Sequence, residues 1–322
     1  NIPTAGDTSI AGATFDWSSQ GAALIDSAKG DVPRLLQLST RTSGTDTYQA
    51  LAKMGSPGLV EQTDGSSTTM TIAMTNIIAD KTLTTHWKRS QYDAFKAEVG
   101  PTTMPGTNDL AIDTLYAAQM FGFYGSAPDL VSFFPAIAAT DIDDTFSYAN
   151  PFTLDDSPWD EWLIVGYELD VPVLADGATN PRLLAGGIFE DRLITHPAMD
   201  LTPMISPVRN AKIGGQDLFV AHSGVGLTPS ISWDAPTIGT PTSYAVVVFR
   251  VDSDGTNTTT TRVANLETTA THVQIPPNVL TEGSSFVIAI DAAIETKASS
   301  KTLLESGLPD AFATTITAVF KP

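Results

Sequence analysis

The sequence contains no cysteine. Disulfide staples, thiolate nucleophiles and Cys-ligated zinc or iron–sulfur centres are thereby excluded. Basic residues are scarce: 17 Lys and Arg stand against 36 Asp and Glu, for a formal net charge of −19 and a pI near 4.3. That balance repels the phosphates of nucleic acid and anionic lipid, so no nucleic-acid partner is expected. No unbroken run of about eighteen apolar residues occurs, so a membrane-spanning helix is not expected either. The histidines, His86, His196, His222 and His272, are scattered without HExxH spacing, which speaks against zinc. "HSGVG" at 222–226 is not a G-x-S-x-G elbow, and the Gly pair of "LLAGGIFEDR" has no phosphate-loop lysine.

The 322 residues are 42% hydrophobic, enough for a proper core in one large or two ordinary domains. Forty-three are threonine, a composition that suits strands better than helices. The chain opens at Asn1 without Met, so any export signal is expected to have been removed or to lie outside this sequence, and the composition reads as an exported prokaryotic surface protein.

Short sheet-like runs separated by turn clusters fill the first hundred residues. "VPRLLQLSTRT" and "TYQALAKMG" flank "SGTD" as a hairpin, and "STTMTIAMTN" and "KTLTTHWKR" are further strands. "SQYDAFKAEVGP" predicts a short helix capped by Ser90, with Tyr92, Phe95 and Val99 on its buried face and Gly100-Pro101 as its stop. "DLAIDTLYAAQMFGFYG" fits helix and strand equally. In "WLIVGYELDVPVL", Leu163, Val165, Tyr167 and Leu169 share one parity, a strand that Pro172 places at an edge or an end. The Pro- and Gly-rich stretch at 200–217 marks a junction, and residues 206–221 are expected to be a linker or junction between an N-terminal β-rich domain, 1–205, and a C-terminal module, 222–322.

In the C-terminal module Ile231 and Trp233 alternate, then Tyr244, Val246 and Val248. The turn "DSDGTN" at 252–257 reads as a hairpin, with a calcium loop on Asp252, Asp254 and Asn257 as its alternative. Trp233, Tyr244-x-Val246, and Leu280 six residues before Phe286 resemble a fibronectin type III domain over about residues 222–322. The resemblance implies a small sandwich serving adhesion, spacing or presentation. Two positions depart from that pattern: Glu282 stands where the family usually has Pro, and Phe286 where it has the corner Tyr. A Phe cannot make the tyrosine-corner bond, so packing must hold that corner. The interval from Ala293 to Phe312 is long for a sandwich loop and could form a binding surface.

Between Lys96 and Arg182 there is no cation, and 14 acids run from Glu98 to Asp176. Carboxylates gathered without cations must be solvated, protonated or bound to a hard cation. Asp141, Asp143 and Asp144, with Asp155 or Asp156, are therefore candidate calcium ligands, the alternative being a solvated acidic face. Trp159 and Trp162 flank Asp160 and Glu161, an arrangement suited to a sugar platform or to a glycosidase acid–base pair.

The expected fold is all-β: an N-terminal sandwich-like domain with a short helix, then a fibronectin type III-like sandwich. As a whole the chain resembles bacterial secreted or lipid-anchored surface proteins of unassigned role. The expected function is non-enzymatic, a structural or adhesive extracellular or cell-surface protein with protein partners or self-association; in its self-assembling variant residues 1–17 could act as a strand donated to a neighbour. The alternative is a calcium-dependent carbohydrate-binding or hydrolytic protein using the 141–162 segment.

Overall fold

The computed structural model describes residues 34–56, 72–115, 129–136, 138–154, 157–158, 160–295 and 309–322, with isolated positions 26, 28 and 58. The proposed donor strand at 1–17, most of the long C-terminal loop, and Asp155, Asp156 and Trp159 lie outside them. By its packing the chain divides into one unit of residues 1–38 with 52–77, and a second of residues 39–51 with 78–322.

The protein is all-β, as the composition predicts, with two short helices among the described residues. Its largest sheet runs in the spatial order β1 (Leu35–Ser43), β2 (Asp46–Gly55), β6 (Val131–Phe133), β5 (Met104–Leu115), β10 (Asp160–Val173), β11 (Arg182–Leu193), β20 (Ala311–Ile316), β19 (Ser285–Ile294), β16 (Ser243–Ser253) and β17 (Thr258–Thr268), with β3 (Thr75–Asn76) on β2. A three-stranded sheet holds β12 (Ala198–Leu201), β4 (Lys81–Trp87) and β7 (Ile142–Tyr148). A four-stranded sheet holds β14 (Gln216–Asp217), β13 (Arg209–Ile213), β15 (Ser230–Asp234) and β18 (His272–Gln274). A two-residue ladder pairs β8 (Thr153–Leu154) with β9 (Ser157–Pro158). Among the described residues no helix is long and apolar enough to cross a membrane.

Strand alternation builds the cores. The β1–β2 hairpin turns at Gly44, whose φ of +57° lies in the left-handed region that favours glycine. Leu163, Val165, Tyr167 and Leu169 all face inward from β10 and are at most 6% exposed. Each such side chain contributes about 1.5–3 kcal/mol by burial. Phe146 of β7 packs edge-on to Tyr48 at 5.1 Å and against Phe133 at 5.3 Å, joining the three-stranded sheet to the large one. Pro172 sits next to the end of β10 beyond the reach of β5, whose pairing stops at Asp170↔Met104, so its missing N–H costs no ladder bond on that side.

The predicted helix forms as two pieces, α1 (Arg89–Asp93) and α2 (Lys96–Val99), ended at Gly100. Ser90 does not cap it. Lys88 occupies the N-cap position without a side-chain bond, and Ser90 donates through its backbone N and its Oγ to Asp141 Oδ1 at 3.0 and 2.7 Å. Tyr92 and Val99 are buried as expected.

The segment expected as a linker, 206–221, is built into the second unit. Ser206, Val208, Ala211, Ile213 and Leu218 are buried, and β13 pairs with β15. The large sheet runs unbroken past it, because β11 pairs with β20. In the C-terminal part, Trp233 of β15 lies edge-on to Tyr244 of β16 at 5.3 Å. The 252–257 stretch is a hairpin turn: Asp254 Oδ1 accepts the backbone N–H of Thr256 and of Asn257, at 2.9 and 2.7 Å. Phe286 is fully buried, tilted against Phe320 at 6.0 Å, and the two residues exchange backbone hydrogen bonds of 2.8 and 2.9 Å.

Candidate functional site

The acids of "DIDD" fall on β7 and the loop before it, and the pleat separates them. Successive strand residues face opposite sides, so Asp143 is exposed while Asp144 is buried. Asp141 accepts both hydrogen bonds from Ser90 and lies 3.8 Å from Lys88 Nζ; the Ser90 bonds hold its carboxyl below the ordinary aspartate value. Asp143 Oδ1 lies 2.7 Å from His86 Nδ1 on the neighbouring strand β4. Asp144 has a buried Oδ2 without a hydrogen-bond partner, and burial pushes its carboxyl upward. These carboxylates are thus distributed among separate protein surroundings, and among the described residues no group of three or more His, Asp or Glu is placed to hold a metal ion.

The same alternation divides the second cluster. Asp160 is exposed and Trp162 half-buried on one face of β10, whereas Glu161 is buried on the other. Glu161 accepts a 2.6 Å hydrogen bond from Tyr148 and is paired with Lys81. Burial, and after it the Glu161 carboxylate, raises the Tyr148 phenol above its ordinary value. Glu161 therefore ties β10 to β7 and β4. It does not face the same side as Asp160, so those two cannot flank one scissile bond.

Trp162 stands opposite Asp113 of β5 in the ladder. Asp113 was not singled out by sequence reading, because its partners come from distant strands. Burial, then the charge of Asp129, pushes its carboxyl up to about 8. Asp129 accepts a 2.5 Å hydrogen bond from Ser132 Oγ. Near neutral pH this site keeps a proton on Asp113, which resolves the repulsion between acids without a cation.

A second buried carboxylate was equally invisible in the sequence. Glu190 on β11 accepts from Tyr92 Oη at 3.0 Å, from Arg192 Nε and Nη2 at 2.9 and 2.5 Å, and from the backbone N–H of Met204 at 2.6 Å. Burial still raises its carboxyl, with the Arg192 charge opposing. Four donors converging on one carboxylate make a structural hub joining α1, β11 and the segment after β12.

No family model matches the chain, and no curated protein matches it.

Proposed function

We propose that the chain is a non-enzymatic extracellular or cell-surface protein of structural or adhesive kind, acting through protein contacts that include self-association. The observation that supports this best is the strand order of the C-terminal part. There β13-β15-β18 belong to the four-stranded sheet and β17-β16-β19-β20 form the end of the large one, with Trp233 of the first against Tyr244 of the second. This order accords with the fibronectin type III resemblance of residues 222–322 once β13, which precedes them, is taken as the first strand, and modules of that family commonly present faces and edges to partners. A fold alone does not specify an activity, so the proposal also leans on chemistry. The acids that suggested a reaction centre, Asp160 and Glu161, face opposite sides of β10, and Glu161 is engaged by Lys81 and Tyr148.

The contact surface we favour is the edge of β17, which among the described residues pairs only with β16 in its sheet and carries the largely exposed run Thr259–Val263. An open strand edge offers unpaired backbone groups to an added strand. The test is the mass in solution over a wide concentration range, for the natural chain and for Val263→Lys. Growth in mass that the lysine abolishes supports assembly through this edge, while a monomer at every concentration removes self-association. Turnover of any member of a glycan or peptide panel would overturn the non-enzymatic reading.

A further inference from the structure

A cleft of about 390 Å³ lies between α2 and the β13–β14 hairpin, lined by Glu98, Arg209, Asn210, Lys212, Asp217 and Phe219 among others. Its volume falls at the small end of the roughly 300–1,000 Å³ typical of small-molecule pockets.

A local irregularity builds its cationic wall. Arg209 pairs with Asp234 and Lys212 with Ser232, so β13 uses one residue more than β15 over the same span. In a regular strand, residues three apart face opposite sides. The extra residue of the bulge brings both Arg209 and Lys212 to the cleft. Asn210, within the bulge, has a φ of +51°, unusual for a residue other than glycine, and its amide is anchored to Asp234 Oδ2 at 2.6 Å. Backbone held in a sparsely populated conformation recurs at ligand sites.

The charges around the cleft are of both signs and are not used up on one another. Among the described residues, neither Arg209 nor Lys212 has a carboxylate within ion-pair distance, in a chain whose net charge is −19. Arg209 Nε donates to the Ala235 carbonyl at 3.2 Å. Facing these cations, Glu98 Oε2 is shielded from solvent and has no hydrogen-bond partner. Burial raises the Glu98 carboxyl, with Arg209 opposing. Asp217 Oδ1 accepts the Phe219 N–H at 2.9 Å, which leaves lone pairs on that carboxylate for further donors. Phe219 is half-buried.

A compact inorganic anion would meet the cations but be repelled by Glu98 and Asp217. A neutral sugar would leave the cations unanswered. A ligand with a carboxylate at one end, hydroxyl donors at the other and an apolar ring face satisfies every wall at once.

We propose that this cleft binds an acidic sugar of the uronic-acid type, one or two rings long. Its carboxylate lies between Arg209 and Lys212, its hydroxyls donate to Glu98 and Asp217, and its ring face rests on Phe219. The inference goes beyond the proposed function and does not depend on it: a protein that self-associates and one that does not can both carry this site.

The test is a titration of the full chain with D-glucuronate and with a glucuronate disaccharide, followed by amide chemical shifts, with D-glucose and inorganic phosphate as controls. Saturable shifts confined to residues 97–98 and 209–219 are expected for the glucuronates, with much weaker ones for either control. Arg209→Gln and Lys212→Gln should each weaken glucuronate binding about tenfold or more, consistent with loss of a charge-assisted hydrogen bond. Lys212 is exposed, so Lys212→Gln should keep the melting temperature of the natural chain even where Arg209→Gln does not. Absence of saturable shifts with both glucuronates, equal response to glucose or phosphate, shifts centred elsewhere, or unchanged affinity in Lys212→Gln would each overturn the assignment.

Discussion

The Tyr92 hydroxyl donates a 3.0 Å hydrogen bond to Glu190 Oε2 across 98 positions of sequence, and both residues are at most 2% exposed. It is one of four donors on that carboxylate, so its loss leaves the charge with three others. Tyr92→Phe should therefore cost about 1–2 kcal/mol, the range for one hydrogen bond to a charged group. Glu190→Gln should cost more, about 3–5 kcal/mol, because Arg192 loses its charge partner. Urea midpoints of the two variants decide the matter. If Glu190→Gln proved the milder change, the carboxylate would not be the hub described.

The Asp113 carboxyl gives the protein a pH dependence of definite sign. Its value in the folded state, about 8, lies above the ordinary 3.8. The native state therefore holds a proton that the unfolded chain releases between those two values. The associated stability is complete below the unfolded value and is lost as pH rises through the folded one, by up to about 1.4 kcal/mol per pH unit. Burial shifts the carboxyls of Glu190 and Asp291 in the same direction, which reinforces the slope. Asp113→Asn, neutral at every pH, should flatten it and raise the urea midpoint at neutral pH while leaving acidic values close to those of the natural chain. A variant that tracks the natural chain at all pH values would mean that Asp113 is ionised in the fold.

Periodicity made the strands legible, and it failed where structure depends on partners distant in sequence. Leu163 to Leu169 and the Trp233–Tyr244 pair were readable because two-residue alternation is local. The packed 206–221 segment was not, because Pro and Gly mark both linkers and tight turns, and Ala211 and Ile213 form too short an alternation to outweigh them. Asp113 beside Trp162 is a matter of register between strands 49 positions apart, which no spacing in the sequence encodes. The Phe286 ring is fully buried against Phe320, a partner that no local spacing in the sequence points to.

In the acidic segment the described aspartates Asp141, Asp143 and Asp144 do not converge. Neighbouring aspartates look like a chelate in sequence, yet on a strand they diverge, and a calcium site needs six to eight oxygens converging from loops. Asp141 instead satisfies the second backbone N–H of α1 from 51 positions away, a remote substitute for an N-cap side chain. Calcium should therefore leave the melting temperature where EDTA leaves it. Asp141→Asn should lower stability by about 1 kcal/mol, as loss of a cap does, equally in both conditions. Replacing Asp143 should change little, since its partner is an exposed His86. A rise in melting temperature with calcium that Asp141→Asn abolishes would require the carboxylates to rearrange around the ion, with Asp141 leaving Ser90. The helix would then lose its cap as the metal site formed, so amide exchange at Ser90 should speed up on calcium addition, the opposite of what the present geometry demands.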